Sequence, residues 1–359
     1  MKIIIASGIY PPDIGGPATY SQLIAREFTN RGINISLICY SDKKQERTDK
    51  DEKYKIIRII RGQNKLKRYW LYFKNLFKLA RNYDVIYAQG PLAAGLPAMW
   101  VSKILKKRFV IKIVGDYAWE QYQNRMSKSK YQMSKLDLIE EFQSKKYDWK
   151  TELRRKIQKF VCQRADRIIV PSEFLKKIVR GWGIDEFKIK VAYNAFRGVE
   201  NIKPKEVSGY IIISAGRPEP WKGFDTLNEI MPDLLKENPK FKLIIATKFP
   251  HDELMGYFKA SKIFILNSGY EGLSHMLLEA MACELPVVTT NVCGNSEVVQ
   301  DAYNGLLVEY NNKEQIKNAI LRLWKDENLR KKLIENGKKT LEKFKLETMI
   351  DKTLNILKS

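Results

Sequence analysis

Short runs of apolar residues alternate along the chain with longer stretches in which apolar residues recur every three or four positions. Several runs are apolar on both faces, which is typical of strands in a parallel sheet covered by helices on both sides. The first half is therefore predicted to form a doubly wound α/β sheet. Its six strand candidates lie at residues 2–6, 33–39, 54–60, 84–88, 108–114 and 166–172.

A second series of apolar runs follows a polar segment with Gly and Pro at residues 194–207, which is interpreted as a linker. The runs lie at residues 210–216, 241–247, 262–268, 286–290 and 305–309. They predict a second Rossmann-like sheet, with ligands in the crevice between the two sheets. We therefore expect an N-terminal domain at 1–203, a C-terminal domain at 204–340, and a helix at 341–359 that packs back toward the first domain.

Composition agrees with two globular cores. Of 359 residues 44% are hydrophobic and only 13 are prolines, which argues against a disordered or fibrous chain. The longest uncharged stretch, residues 85–102, is interrupted by Gly and Pro, and the amino terminus lacks the apolar region of a signal peptide. We expect a cytoplasmic protein. Four cysteines without CxxC spacing and two histidines predict neither a disulfide framework nor a metal site.

Positive charge is concentrated in the first half. Residues 1–200 carry 41 lysines and arginines against 20 acids, a net charge of +21, whereas residues 201–359 carry a net charge of +2. Such a surface attracts nucleic acid, an anionic bilayer or a phosphate-bearing substrate. A nucleic-acid-binding protein is disfavoured because no nucleic-acid module is recognisable and the phosphate-binding motifs lie in the near-neutral half.

A loop with an acidic residue follows the strand predicted at 262–268. Glu271 and Gly272 lie in it, and Glu279 lies on the helix predicted from about Ser274. The free amides at the start of this helix would bind an anion, and the two carboxylates could accept hydrogen bonds from sugar hydroxyls. The alternative is that both acids are surface residues beside a core helix.

Two further loops carry phosphate-binding features. Arg217 and Lys222 lie in one loop after a strand that ends in Ala-Gly, where two cations could clamp a diphosphate, although they could also be solvated. Gly15 and Gly16 lie between the first strand and its helix, where backbone amides could approach a phosphate closely.

Together, PPxxGG at 11–16, AGR and KGFDTL within 215–227, and the two glutamates in YEGLSHMLLEAMA at 270–282 resemble the retaining family-4 glycosyltransferases of the GT-B fold. The order and spacing of the three motifs agree with that family. Lesser similarities at 164–177, 191–196 and 294–309 extend the resemblance over most of the chain.

The resemblance implies transfer of a hexose from a nucleotide-sugar to a glycan or lipid-linked acceptor, in the synthesis of cell-surface polysaccharide or glycolipid, without metal or cofactor. Arg217 and Lys222 would neutralise the diphosphate, Glu279 would hold the ribose and Glu271 the transferred sugar. The donor-binding residues that it implies are Gly15, Gly16, Gly216, Arg217, Lys222, Glu271, Gly272, Leu273, Ser274 and Glu279. The nucleotide, the sugar, the acceptor and the oligomeric state stay open, as do epimerisation, phosphorolysis or an inactive protein on the same fold.

Three positions depart from the family pattern. Where the family commonly has a histidine, this chain has Gly115 and Asp116; Asp116 is the candidate for contact with the donor sugar or acceptor hydroxyl, with a helix cap as the alternative. Only about fifteen residues separate the strands at 241–247 and 262–268, where the family usually has an additional helix and strand. Glu284 replaces a usual glycine. The histidines are interpreted as ordinary residues, and Asp49-Lys50-Asp51 as a solvated loop.

Residues 65–83 are predicted to form an amphipathic helix. One face would carry Leu66, Tyr69, Trp70, Phe73, Leu76, Phe77 and Ala80. The predicted membrane- and acceptor-binding residues are Lys67, Trp70, Lys74, Lys78 and Arg81. Such a helix suits an anionic membrane surface, so peripheral binding at the inner face of the plasma membrane is one expectation, and packing against the sheet is the other. A second basic, aromatic tract at 121–135 and 145–160 is expected to shape the acceptor site.

Overall fold

The computed structural model describes residues 1–127, 138–196, 198–199 and 201–359. Twelve strands in these ranges form two sheets, and all the paired strands are parallel. The strands are β1 Lys2–Ser7, β2 Asn34–Ser41, β3 Lys55–Ile60, β4 Val85–Gln89, β5 Arg108–Lys112, β6 Arg167–Val170, β7 Ile189–Val191, β8 Tyr210–Ala215, β9 Phe241–Ala246, β10 Ile263–Leu266, β11 Val287–Thr290 and β12 Leu306–Val308. The prediction of two parallel α/β sheets is confirmed.

Helices connect the strands and cover the sheets. In the described ranges they are α1 Gly16–Asn30, α2 Lys65–Ala80, α3 Leu96–Leu105, α4 Tyr117–Met126, α5 Ile139–Ser144, α6 Trp149–Gln163, α7 Glu173–Arg180, α8 Phe224–Glu229, α9 Met231–Glu237, α10 His251–Ala260, α11 His275–Ala282, α12 Asn295–Val298, α13 Lys313–Lys325, α14 Glu327–Leu341 and α15 Leu346–Lys358. No helix of the described chain is long and apolar enough to cross a bilayer.

The strand order in each sheet reverses at one place. The first sheet has the order β3-β2-β1-β4-β5-β6-β7. The strands up to β3 are added on one side of β1 and those from β4 onward on its other side, so the order reverses between β1 and β4. The second has the order β12-β11-β10-β8-β9, with the reversal between β8 and β10. Crevices at the carboxyl ends of strands beside such a reversal are where open α/β sheets bind ligands.

Residues apolar on both strand faces explain why helices cover both sides of the first sheet. In β1, Ile4 and Ala6 pack into the cluster that contains α2 and α3, whereas Ile3 and Ile5 pack into the cluster that contains α1. Residues of α15 complete this second cluster. The domain boundary at residue 203 stays a prediction; the first sheet ends at Val191 and the second begins at Tyr210.

The connection between β9 and β10 is short. It contains the single helix α10, and β9 is an edge strand of the second sheet. At the end of α11, Glu284 has a left-handed backbone with φ 61°, the conformation that glycine adopts most readily. This explains why a glycine is usual at that position.

Helix α2 differs from the sequence prediction in the face that it buries. Tyr72, Leu76 and Ala80 are fully buried, whereas Leu66 is 82% exposed and Trp70 is 61% exposed. The hydroxyl of Tyr72 donates to the carbonyl oxygens of Ser7 and Ile38, which anchors this line of residues on the sheet. The apolar face named from the sequence is therefore divided: Leu76 and Ala80 pack against the sheet, whereas Leu66 and Trp70 in the first turns are exposed.

The loop that contains Asp49 also differs from the prediction. The side chain of Asp49 is only 10% exposed and pairs with the buried Arg58 at 2.7 Å. Arg58 also donates to the carbonyl oxygen of Pro11 at 2.7 Å, so the acid supports the loop after β1 instead of being solvated. The Arg58 guanidinium and the Glu46 amide hold the pKa of Asp49 below its usual value, although burial opposes them.

Candidate functional site

The three motif loops lie at the two strand reversals. Gly15 follows β1, Arg217 and Lys222 follow β8, and Glu271 follows β10. Because carboxyl ends of parallel strands meet at one edge of a sheet, the β8 and β10 loops are neighbours. The structure thus places each motif beside a ligand-binding crevice of its sheet.

Aromatic residues join the loops of the two sheets. Trp119 of α4 packs against Trp221 and Tyr270, with ring centroids 5.0 and 4.6 Å apart. The amide of Asp116 donates to the Tyr270 hydroxyl at 2.9 Å. All four residues are buried, so this contact fixes the end of β5 against the loops after β8 and β10.

Lys222 and Glu271 form the central ion pair of the site. The Lys222 ammonium lies 2.5 Å from Oε1 of Glu271, and both side chains are about nine-tenths buried. Their mutual neutralisation offsets the cost of burial. The Lys222 side chain also passes beside Gly216, at 3.4 Å from where a Cβ would lie.

Arg217 is the more exposed of the two cations in the same loop. Its side chain is 58% exposed and pairs with Glu219 at 3.2 Å. A guanidinium in this position can turn toward an anion at little cost because water already solvates it. The loop therefore presents one anchored and one adjustable cation.

Helix α11 begins immediately after the acidic loop. Leu273 and Ser274 are buried, and Ser274 caps the helix at its N-terminus without a side-chain hydrogen bond to the backbone. A glycine is required at 272 because a Cβ there would collide with the carbonyl oxygen of Val114 from the first sheet. The loop before α11 and the end of β5 therefore approach each other closely.

Glu279 has a partner that the sequence did not predict. It is buried at 5% exposure, and its Oε1 lies 3.1 Å from Nε2 of His251 on α10. In the described part of the chain its Oε2 has no hydrogen-bond partner. The sequence analysis interpreted His251 as an ordinary residue. The short β9–β10 connection was the available signal for this contact, because it places His251 at the start of the only helix between the two strands.

Gly15 and Gly16 open helix α1 as expected. The carbonyl oxygen of Gly15 accepts hydrogen bonds from Ala18 and Thr19, and Gly16 is exposed, with open space where a side chain would lie. Polar contacts of Asp13 with Arg61 and of Pro11 with Arg58 hold the loop before them. This leaves the amide side of the glycines accessible.

The carboxylate of Asp116 accepts hydrogen bonds from four protein donors. Oδ1 accepts from the amides of Ala118 and Trp119 and from Nε2 of Gln158, at 2.9 to 3.2 Å. Oδ2 accepts from Nε2 of Gln143 at 2.9 Å, and the residue is fully buried. The structure thus shows the alternative kept for Asp116, a cap of α4, and its contact with substrate stays a prediction.

Glu120, one turn later on α4, is the acid that the sequence analysis missed. Its side chain is partly exposed, and no hydrogen bond of its carboxylate is found within the described ranges. Burial raises its pKa to about 7, which the guanidinium of Arg217 opposes and nearby carboxylates reinforce. The spacing of four residues from Asp116 was the signal in the sequence, because it places both on one helix face.

The predicted membrane residues are spread along α2. Lys67, Lys74, Lys78 and Arg81 are exposed. Because α2 starts after the carboxyl end of β3, Lys67 and Trp70 lie toward the crevice edge of the sheet, and Lys78 and Arg81 toward the opposite edge. The second basic tract lies partly outside the described residues, which omit 128–137.

Comparison with known proteins gives two family matches. Residues 14–197 match the model described as Glycosyltransferase Family 4, and residues 247–340 match Glycosyl transferases group 1. Together they include Gly15, Gly16, Asp116, Glu120 and the two glutamates of the second half, whereas Arg217 and Lys222 lie between the two matches.

Curated relatives are similar at low to moderate identity. Two uncharacterized glycosyltransferases of Methanocaldococcus jannaschii are 31% identical over 54% of this chain and 25% identical over 94% of it. The matched parts span 59% and 93% of their respective lengths. O-antigen chain mannosyltransferase B of Escherichia coli is 34% identical over 30% of this chain and 28% of its own length.

A solved structure of Anabaena HepE in complex with UDP and glucose superposes with a TM-score of 0.77. It covers 100% of this chain and 99% of its own at 16% identity. At that identity the similarity shows the fold, and it confirms that the two sheets form a GT-B fold.

Proposed function

Because the chain belongs to glycosyltransferase family 4, we propose that it transfers a sugar from a nucleotide diphosphate-sugar to an acceptor hydroxyl with retention of the anomeric configuration. The observation that carries this proposal is the Lys222–Glu271 pair beside the N-terminus of α11, at the strand reversal of the second sheet. A cation, a carboxylate and free helix amides at one place match the diphosphate and the hydroxyls of such a donor.

In this proposal the chain's own groups neutralise the leaving diphosphate. The bond from the sugar carbon to the phosphate oxygen breaks with its electron pair on that oxygen, while the acceptor oxygen bonds to the same face of the carbon. The hydroxyl proton of the acceptor leaves its oxygen and ends on the departing phosphate. Arg217, Lys222 and the amides at 272–274 stabilise the charge that develops, so no metal ion is assigned a role. Gly15 and Gly16 would approach the same phosphate from the first sheet.

Glu279 and Glu271 are assigned to different parts of the donor. Glu279 lies buried on α11 with one oxygen unsatisfied in the described chain, which suits a bidentate contact with the ribose hydroxyls. His251 now contacts its other oxygen and would shift or share that carboxylate. Glu271 in the loop would hold a hydroxyl of the transferred sugar while it pairs with Lys222.

Calorimetry on two variants tests this division. Glu279→Gln is expected to weaken both the nucleoside diphosphate and its sugar conjugate roughly tenfold, as for loss of a charged hydrogen bond. Glu271→Gln should preserve the nucleoside diphosphate and weaken only the sugar conjugate. The exposed Glu335→Gln is the matched control and should change neither. Equal losses for both ligands in both variants would reject the assignment.

For the acceptor, we propose a glycan or lipid-linked molecule at an anionic membrane surface, as in cell-surface polysaccharide synthesis. The O-antigen mannosyltransferase relative supports the polysaccharide class. The surface supports the membrane: Leu66 and Trp70 of α2 and Trp100 and Ile104 of α3 are exposed apolar residues among lysines. Such a mixture inserts shallowly into a bilayer while its cations meet lipid phosphates.

Sedimentation with vesicles of phosphatidylcholine, with and without phosphatidylglycerol, tests the membrane proposal. Lys74→Glu with Lys78→Glu should lower binding to the anionic vesicles more than tenfold, because each basic residue contributes about 1 kcal/mol. Added salt should act in the same direction. The pair Lys240→Glu with Lys332→Glu, on the second half, is the control. If equal amounts of protein sedimented with neutral and anionic vesicles, the membrane proposal would be rejected. The positive charge of the first half would then be assigned to binding a soluble polyanionic acceptor.

A further inference from the structure

Glu120 lies where the end of β5 meets the loops of the second sheet. Its carboxylate occupies the space beside Gly115: a Cβ at that position would collide with Oε1 of Glu120 and lie 3.1 Å from the hydroxyl of Tyr270. Gly115 is therefore required to be a glycine for Glu120 to take this position. The Glu120 carboxylate therefore lies beside the backbone of Gly115 and near Tyr270 of the second half.

Charged groups from three elements surround this carboxylate. Arg217 and Glu219 face it from the loop after β8, Glu271 from the loop after β10, and Asp116 from the start of α4. Burial raises the pKa of Tyr270 and of Tyr117, and the nearby charge of Glu120 raises both further, so the two tyrosines stay neutral. Glu120 thus lies within the electrostatic influence of Arg217, one of the two cations assigned to the donor diphosphate, and of Glu271, the partner of the other.

The hydrogen bonds separate Glu120 from its neighbouring acids. Asp116 uses both oxygens to bind four protein donors, and Glu271 pairs with Lys222 at 2.5 Å. Glu219 pairs with Arg217. Among these four acids of the described chain, Glu120 alone has no hydrogen bond or ion pair to its carboxylate. An acid that is partly desolvated and unsatisfied is destabilised until a donor reaches it.

We propose that Glu120 contacts the acceptor alcohol and orients it by accepting its hydroxyl hydrogen bond. The assignment rests on the proposed sugar transfer and adds the acceptor side of that site. Glu120 comes from α4 of the first half and lies near Arg217 and Glu271 of the second, so an alcohol bound to it would lie close to the residues assigned to the donor. A carboxylate is the strongest hydrogen-bond acceptor that a protein can offer a hydroxyl.

The protonation of Glu120 sets the expected pH dependence. Its pKa is about 7, raised chiefly by burial and further by the carboxylates of Asp116, Glu219 and Glu271, with Arg217 opposing. The ionised form is the one that accepts the hydroxyl, so activity with limiting acceptor rises as pH increases through about 7. A bound diphosphate adds negative charge and would move the inflection upward.

Hydrolysis of a donor provides the test, because water is the smallest acceptor hydroxyl. Release of free sugar is measured with UDP-glucose, GDP-mannose and ADP-glucose, and binding of UDP, GDP and ADP is measured by calorimetry. Glu120→Gln is expected to release sugar at least tenfold more slowly and to lose the inflection near pH 7, with unchanged affinity for the nucleoside diphosphate. Glu120→Asp should be intermediate, and the exposed Glu347→Gln should match the wild type.

The outcomes distinguish this inference from the proposed function. A wild-type protein that binds none of the three diphosphates contradicts the proposed function itself. A protein that binds one of them but releases no sugar to water, or a folded Glu120→Gln variant that matches the wild-type rate and pH profile, overturns the role of Glu120. Thermal melting of each variant establishes that it is folded, and Glu120→Asp supplies the comparison if the Gln variant is not.

Discussion

Replacement of Lys222 by alanine is expected to lower turnover by roughly two to three orders of magnitude, the usual loss when one preorganised electrostatic contact to the transition state is removed. The side chain is well placed for this role because it is 12% exposed and held by Glu271 at 2.5 Å. In the alanine variant, water molecules would have to reorient to stabilise the negative charge that develops on the diphosphate, whereas the buried ammonium is already in place. Steady-state kinetics with saturating donor measure the effect.

Arg217→Ala is expected to cause a loss of the same order, because its guanidinium can contact the diphosphate in two places. Lys222→Arg retains the positive charge but replaces the compact ammonium with a larger planar guanidinium, so this variant should keep only part of the wild-type activity. Near-normal turnover of Lys222→Ala with saturating donor would show that the diphosphate is neutralised elsewhere.

Replacement of Asp116 by alanine is expected to destabilise the fold by roughly 3 kcal/mol. The substitution removes the cap of α4 and the four hydrogen bonds that the buried carboxylate accepts, from the amides of Ala118 and Trp119 and from the side chains of Gln143 and Gln158. Urea denaturation of the wild type and the variant measures the loss of stability.

Asp116→Asn separates a structural role from a catalytic one. Its remaining carbonyl oxygen can still cap the helix, whereas its amide faces the Gln143 donor, so a smaller destabilisation is expected. At a temperature where the variant is folded, its turnover should stay within about tenfold of the wild type, a far smaller loss than removal of a transition-state contact causes. A loss as large as that of Lys222→Ala in a folded Asn variant would assign Asp116 a direct contact with substrate.

The motif loops were predictable because strand periodicity places them. Apolar runs locate the carboxyl ends of the strands, and Arg217, Lys222 and Glu271 follow such ends directly. Two strands that flank a reversal bring their loops together, so the Lys222–Glu271 contact follows from topology once the sheet order is known. Local sequence therefore contained most of the donor side of the site.

The acceptor side was less predictable because it depends on distant partners. The local cap of α4 by Asp116 was an alternative in the sequence, but its further hydrogen bonds come from Gln143 and Gln158, 27 and 42 residues away. The face of α2 was similarly ambiguous. Two apolar stripes overlap on that helix, and the hydrogen bonds of Tyr72 to the first sheet select one.

Thermal melting in the presence of nucleotides tests the central claim most directly, since a ligand that binds only the folded state stabilises it by mass action. The chain is melted alone and with UDP, GDP, ADP and their sugar conjugates. One nucleoside diphosphate and its sugar conjugate are expected to raise the melting temperature. At a ligand concentration 100 times the dissociation constant, binding adds about 2.7 kcal/mol to the free energy of unfolding. The shift with that diphosphate should be much smaller in Lys222→Ala. An unchanged melting temperature with every nucleotide would contradict the assignment of the β8 and β10 loops to a nucleotide-sugar.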